Sequence, residues 1–246
     1  MTAHIETAEL HGQPVLKLQT PDGAVALISL FGAQVLSWVP AGGEDRLYLS
    51  PDAVFDGATP IRGGVPLCFP QFAGRGPLPK HGFARTRLWE VSNTRAGKDF
   101  ALATLRLADD EASRALWPHA FSAEMSVSIS GDRLDLELEV DNTGSTPFSF
   151  TAALHTYLKV REGGRIVSVA AIIAVAVNTE GKRLGFFART RSSSQGNSIP
   201  NTSRYRKSSA DSAWVCVAAL TLRSTASTPR NASTSTLPMS RGCRLS

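Results

Sequence analysis

The sequence predicts an all-β protein, a large antiparallel β-sandwich left incomplete at its C-terminus. Three observations predict it. From residue 14 to about 155 apolar and polar residues alternate in short runs, turn-forming residues separate those runs, and helical periodicity is scarce. Beyond about residue 165 the patterning decays. The chain of 246 residues, 42% hydrophobic and 19% charged, is long enough to bury a sizeable core in one large domain or two ordinary ones.

In chain order, strands are expected at 15–19, 25–30, 34–39, 46–49, 88–91, 101–107, 123–129, 134–140 and 148–154. Turns fall between them at Pro21-Asp22-Gly23, Ala41-Gly42-Gly43, Ser130-Gly131-Asp132 and Asp141-Asn142-Thr143-Gly144, so the order reads as a meander. The clearest strand sets Leu134, Leu136, Leu138 and Val140 against Asp135, Glu137, Glu139 and Asp141, one face for a second sheet and one for water. Between Pro60 and Gly82 glycine and proline dominate and few residues could join a ladder. A long irregular loop of that kind is commonly functional. From residue 189 to the last residue only the run 214–222 reads as a core strand. The domain division is therefore 1–165 for the sandwich and 166–246 for a basic segment rich in Ser and Thr, frame-shifted or disordered.

Charge follows the same division. Residues 1–180 hold 15 Lys and Arg against 20 Asp and Glu, a net of −5, whereas 181–246 hold 11 against one, a net of +10. Nucleic-acid binding through that basic tail is the weakest reading, since only Tyr205 and Trp214 interleave aromatics with the cations. The longest apolar run, Val167 to Val177, falls short of the roughly 18 residues a spanning helix requires. No membrane association is expected. No secretory leader is visible, so a cytoplasmic location is expected, and separately a monomer. Cys68, Cys216 and Cys243 are too scattered for a disulfide framework or a zinc site, and no metal is expected.

Three constellations carry possible chemistry: Pro60-Ile61-Arg62-Gly63-Gly64-Val65-Pro66-Leu67-Cys68-Phe69-Pro70-Gln71-Phe72, Leu78-Pro79-Lys80-His81-Gly82-Phe83-Ala84-Arg85, and Ala153-Leu154-His155-Thr156-Tyr157. Arg62, Lys80 and Arg85 together could hold a dianion. Singly, each reads as a surface cation. His155 ends an apolar strand and could exchange a proton near neutral pH, but it reads equally as a structural histidine, and His81 shares the ambiguity. His4, His11 and His119 have no supporting context, His119 belonging to a packed aromatic turn. Trp38, Trp89 and Trp117 suit a sugar face but suit core packing better. Gly63-Gly64 has neither the Rossmann nor the Walker spacing.

At these constellations the sequence resembles the aldose 1-epimerase (mutarotase-like) family, in particular its glucose-6-phosphate 1-epimerase branch. The resemblance rests on Gly32-Ala33-Gln34-Val35-Leu36-Ser37-Trp38, the IRGGVPLCFPQF run from Ile61, the LPKHGFARTRLWEV run from Leu78 and FTAALHTYLKV from Phe150, in that order. It implies a galactose-mutarotase-type sandwich, interconversion of the α and β anomers of a hexose 6-phosphate, a sugar phosphate as the small-molecule partner, and no cofactor. It assigns ring-oxygen protonation to His155, phosphate binding to Arg62 and Arg85, a neighbouring binding position to Lys80 and a sugar-pocket position to His81. The family places its catalytic glutamate in a C-terminal strand far beyond the histidine. Here the last glutamate is Glu180, only 25 residues after His155, and Asp211 is the sole acid beyond it. A shift of coding frame near residues 161–170 would produce that combination. The alternative function is a sugar-phosphate-binding sandwich without catalysis.

Overall fold

A computed structural model of the chain describes residues 2–162, 165–179, 183–191, 213–215 and 223–225, with side chains described up to residue 159. Strands β1 (His4–Leu10), β2 (Gln13–Gln19), β3 (Val25–Ser29) and β4 (Gln34–Val39) form an antiparallel sheet in that order. The Pro21-Asp22-Gly23 turn closes β2 onto β3, with Gly23 in the left-handed region and the Thr20 and Ala24 backbones bonded across it. Then come β5 (Leu67–Cys68), β6 (Glu90–Ala96), β7 (Ala101–Ala108), helix α1 (Glu111–Leu116), β8 (Phe121–Ser130), β9 (Arg133–Asn142) and β10 (Phe148–Glu162). Strands β11 (Arg165–Thr179), β12 (Arg183–Arg191), β13 (Ala213–Val215) and β14 (Arg223–Thr225) complete the described chain.

The remaining strands form a six-stranded sheet, β14-β12-β9-β8-β7-β6, and a four-stranded sheet, β13-β11-β10-β5. Among the described strands the pairings are antiparallel except that of β11 with β13. Side chains from all three sheets meet in one core: Leu18, Ile28 and Trp38 from the first, Leu105, Met125 and Leu138 from the second, Leu67, Phe150 and Leu154 from the third. The alternation in β9 is realised, with Leu134, Leu136, Leu138 and Val140 buried. Among the described residues no helix is long and apolar enough to cross a membrane.

Several elements depart from the sequence reading. Strand β1 was unexpected because it buries only part of a face and is held by pairing along its whole length with β2. Residues 46–49 make isolated bridges at Leu47 and Leu49 instead of a strand. Strands β11 and β12 lie where no strand was expected, because a continuous run such as Val169 to Val177 lacks the period that marks a half-buried strand. Of the expected strand at 214–222, only Ala213–Val215 overlaps a described strand; residues 216–222 lie outside the described residues.

Candidate active site

The Gly/Pro-rich loop enters the sheets more fully than its composition suggested. Along one side of β10, the His155 and Tyr157 amides donate to the Pro66 and Gly64 carbonyls at 3.0 and 2.8 Å, and Cys68 lies opposite Ala153. The chain at Tyr48 closes the frame, its amide donating to the Tyr157 carbonyl while its own carbonyl accepts from the Gly64 amide. Gly63 and Gly64 have φ of +113° and +60°, and a methyl group on them would overlap the Tyr48 and Val35 carbonyls. These glycines serve close backbone approach. Buried Gln34 fastens the same loop by donating to the Ile61 and Gly63 carbonyls at 3.2 and 2.7 Å.

The second arm folds over this frame. The His81 amide donates to the Ala73 carbonyl at 2.9 Å, and the Phe83 and Ala84 amides both donate to the Phe69 carbonyl. Arg85, in a short 3-10 turn over Ala84–Thr86, donates from Nη2 to the Lys80 carbonyl at 2.9 Å. The two cations are thereby tied together through backbone.

Four titratable side chains converge beneath them. His155 and Tyr157, two residues apart on one face of β10, stack with centroids 4.8 Å apart at 24°. The His81 ring meets His155 edge-on, centroids 5.6 Å apart at 90°. The Cys68 Sγ lies 3.1 Å from His81 Nδ1. Arg85 acts electrostatically on all four, Lys80 on both histidines, and Arg62 on Tyr157. Burial, helped by Arg85, His155 and Lys80, pushes His81 down to about 4. Burial also lowers His155, with Arg85 and Lys80 adding to the effect. The Tyr157 phenol is raised by burial, and burial pushes the Cys68 thiol up to about 12. Near neutral pH the site therefore presents two uncharged imidazoles, a thiol and a phenol under a positive field, an environment suited to an anionic ligand.

All five residues singled out from sequence, Arg62, Lys80, His81, Arg85 and His155, thus lie within one electrostatic neighbourhood, Arg62 being an exposed member. Tyr157 and Cys68 were missed as site residues. Tyr157 was detectable, since on a strand it must share the face of His155. Cys68 was not, because its position depends on the pairing of β5 with β10. A recess of about 450 Å³ beside Gln71, Arg75, Leu78, Trp117 and Thr151 contains none of these titratable groups, so the cationic cluster is the stronger candidate. Trp38, Trp89 and Trp117 are all buried in the core. His119 packs against Trp117 and Phe148, as the aromatic-turn reading expected. Among the described residues there is no group of His, Cys, Asp or Glu that could hold a metal ion.

The family model for aldose 1-epimerase matches residues 14–206. A relative from Cenchrus ciliaris named "Putative glucose-6-phosphate 1-epimerase" is 41% identical over 147 residues, which cover 56% of this chain and 44% of that protein. The crystal structure of a "putative mutarotase (YeaD)" from Salmonella typhimurium matches with a TM-score of 0.57 and 33% identity, covering 63% of this chain and 52% of that one. A galactose mutarotase-like protein from Clostridium acetobutylicum shares the fold at a TM-score of 0.56 and 19% identity, over 65% of this chain and 55% of its own. The chain spans about half the length of the curated epimerase relatives it matches over more than a hundred residues. A further similarity is of another kind. Over 64 residues, 25% of the chain and 15% of the relative, it is 42% identical to the "Transposase for insertion sequence element IS1081" of Mycobacterium tuberculosis.

Proposed function

This chain belongs to the aldose 1-epimerase family, and we propose that its cationic cluster binds a hexose 6-phosphate, glucose 6-phosphate foremost, in a site built for exchanging the sugar's α and β anomers. The observation that carries the reading is the field of Lys80 and Arg85 on the paired rings of His81 and His155, with Arg62 acting on the neighbouring Tyr157. The guanidinium and ammonium groups take the phosphate dianion. His155 as imidazolium gives its proton to the ring oxygen while a base takes the anomeric hydroxyl proton. The bond from C1 to the ring oxygen breaks, the open-chain aldehyde rotates about C1–C2, and reclosure on either face returns both protons. A bound dianion offsets the field of Arg85 and Lys80, raises the His155 pKa and so loads the acid only when substrate is present.

The base is the weak point. Between His155 and Asp211 the only acids are Glu162 and Glu180, and the second reading is that the chain binds the sugar phosphate without turning it over. We infer that the change of composition beyond about residue 165 is either a shift of coding frame or a junction with foreign sequence, and the 64-residue similarity to a transposase favours the junction. Reading the coding DNA across that point distinguishes a junction from a simple shift of frame.

The functional test is titration with glucose 6-phosphate, followed by exchange NMR of its anomers. Saturable binding is expected, with Arg85→Ala weakening it about tenfold or more, the range for a hydrogen bond to a charged group. Exchange above the buffer rate supports the enzyme, binding without exchange supports the second reading, and no binding overturns both.

A further inference from the structure

The contacts around His81 determine where its proton sits. Its Nδ1 receives the Ala73 amide at 3.3 Å and lies 3.1 Å from the Cys68 Sγ. A backbone amide can only donate, so Nδ1 carries no proton, the thiol must be the other donor, and the imidazole proton is on Nε2. The thiol is able to play that part, since burial keeps it protonated well beyond neutral pH. The backbone supports the same arrangement. The His81 amide donates back to the Ala73 carbonyl at 2.9 Å, so ring and main chain are clamped to one residue, and His81 is held at φ +71°, a conformation an L-residue adopts only under local constraint. Cys68 is itself fixed by the pairing of β5 with β10, opposite Ala153, two residues from His155.

We propose that His81 is a neutral hydrogen-bond donor to a sugar oxygen, locked as the Nε2-protonated tautomer by two positioning groups, the Cys68 thiol and the Ala73 amide. The proposal rests on the hexose-phosphate reading of the site and divides labour between the two histidines. His155 exchanges a proton with the substrate. His81 does not, because a neutral imidazole N–H polarises an oxygen that gains negative charge without surrendering its proton. The low pKa of His81, about 4, supports this, since the ring is uncharged near neutral pH. An Nδ1-protonated ring would instead turn a lone pair toward the ligand and offer it only an acceptor.

Long-range proton–nitrogen correlation NMR on the full ¹⁵N-labelled chain at neutral pH reads the tautomer directly, with the His81 signals identified by their loss in His81→Asn. The expected spectrum shows His81 protonated on Nε2 alone, in the wild type and in Cys68→Ser, whose hydroxyl keeps a donor. Cys68→Ala leaves only the longer Ala73 amide contact on Nδ1 and is therefore expected to admit some of the Nδ1-protonated tautomer and to bind glucose 6-phosphate about three- to tenfold more weakly, the worth of one neutral hydrogen bond, while binding of inorganic phosphate is unchanged. An Nδ1-protonated ring in the wild type, or a tautomer unaltered in Cys68→Ala, overturns the proposal. If the wild type shows the expected tautomer but no saturable binding of glucose 6-phosphate, the lock stands and the hexose-phosphate reading falls.

Discussion

In β9 every apolar residue from Leu134 to Val140 is buried while the acids between them are half-exposed, whereas β11 contains an unbroken Val/Ala/Ile stretch from Ala170 to Val177. Both are long strands with an antiparallel neighbour in the same molecule. The first records in its sequence which side faces the core. The second records only that it can extend and pair. The difference runs through the chain, since residues 1–180 carry a net charge of −5 and residues 181–246 one of +10. A protein whose halves follow separate rules can still share sheets, because ladder hydrogen bonds are made by backbone and are indifferent to side-chain identity.

The most drastic way to break this comparison is to remove the second region. Strand β11 pairs with β10 at every position from Phe148 to Glu162, and β12 pairs with β9 from Arg133 to Val140. Ending the chain at Glu162 would leave both strands with an open edge. A fragment of residues 1–162 is expected to lose cooperative thermal unfolding and amide dispersion in NMR. If it melts as the full chain does, the later strands are passengers and the first region folds unaided.

A smaller perturbation tests the first region alone. Gly64 combines a φ of +60° with a backbone approach that leaves no space for a methyl group against the Val35 carbonyl. Gly64→Ala is expected to cost about 2–4 kcal/mol in urea denaturation, from strain plus displacement of a packed strand. The exposed Leu88→Ala, at 65% exposure, is its control and should change stability by about 0.5 kcal/mol or less. Equal effects would mean that the loop at Gly64 is looser than its contacts imply.

What was legible in the sequence follows from the same contrast. The alternation at 134–140 and the turns at Gly23 and Gly131 marked β2, β3, β8 and β9 within a few residues. The motifs indicated Arg62, Lys80, His81 and Arg85 as charged or titratable groups in and beside a Gly/Pro-rich loop, and His155 at the end of an apolar strand. Cys68 stayed hidden, since a cysteine among Leu67 and Phe69 reads as core until β5 is seen beside Ala153. Strand β1 stayed hidden because its stability lies in pairing with β2 more than in burial. Beyond residue 160 the register came from the partner strand: Val140 opposite Leu184 and Leu138 opposite Phe186 continue the alternation of β9, a relation visible only once the strands are aligned.

The gentlest test uses protons. All five histidines lie in the first 155 residues, and none in the remainder. His81 falls from the ordinary 6.5 to about 4 in the folded state, and His155 is lowered as well. The unfolded chain therefore binds more protons than the folded one between about pH 6.5 and 4, so stability is fully present above that window and is lost as pH falls through it. After discounting for the half-exposed ring, the His81 share of the loss is about 1–2 kcal/mol, read as a lower urea midpoint at pH 5 than at pH 7. His81→Asn is expected to flatten that slope, and Cys68→Ser to preserve it. A slope unchanged in His81→Asn would assign the acid sensitivity to His155 or to carboxylates instead. Any sensitivity between about pH 5 and 7 that truncation removed would contradict the division itself, because the later region contains no histidine to titrate there.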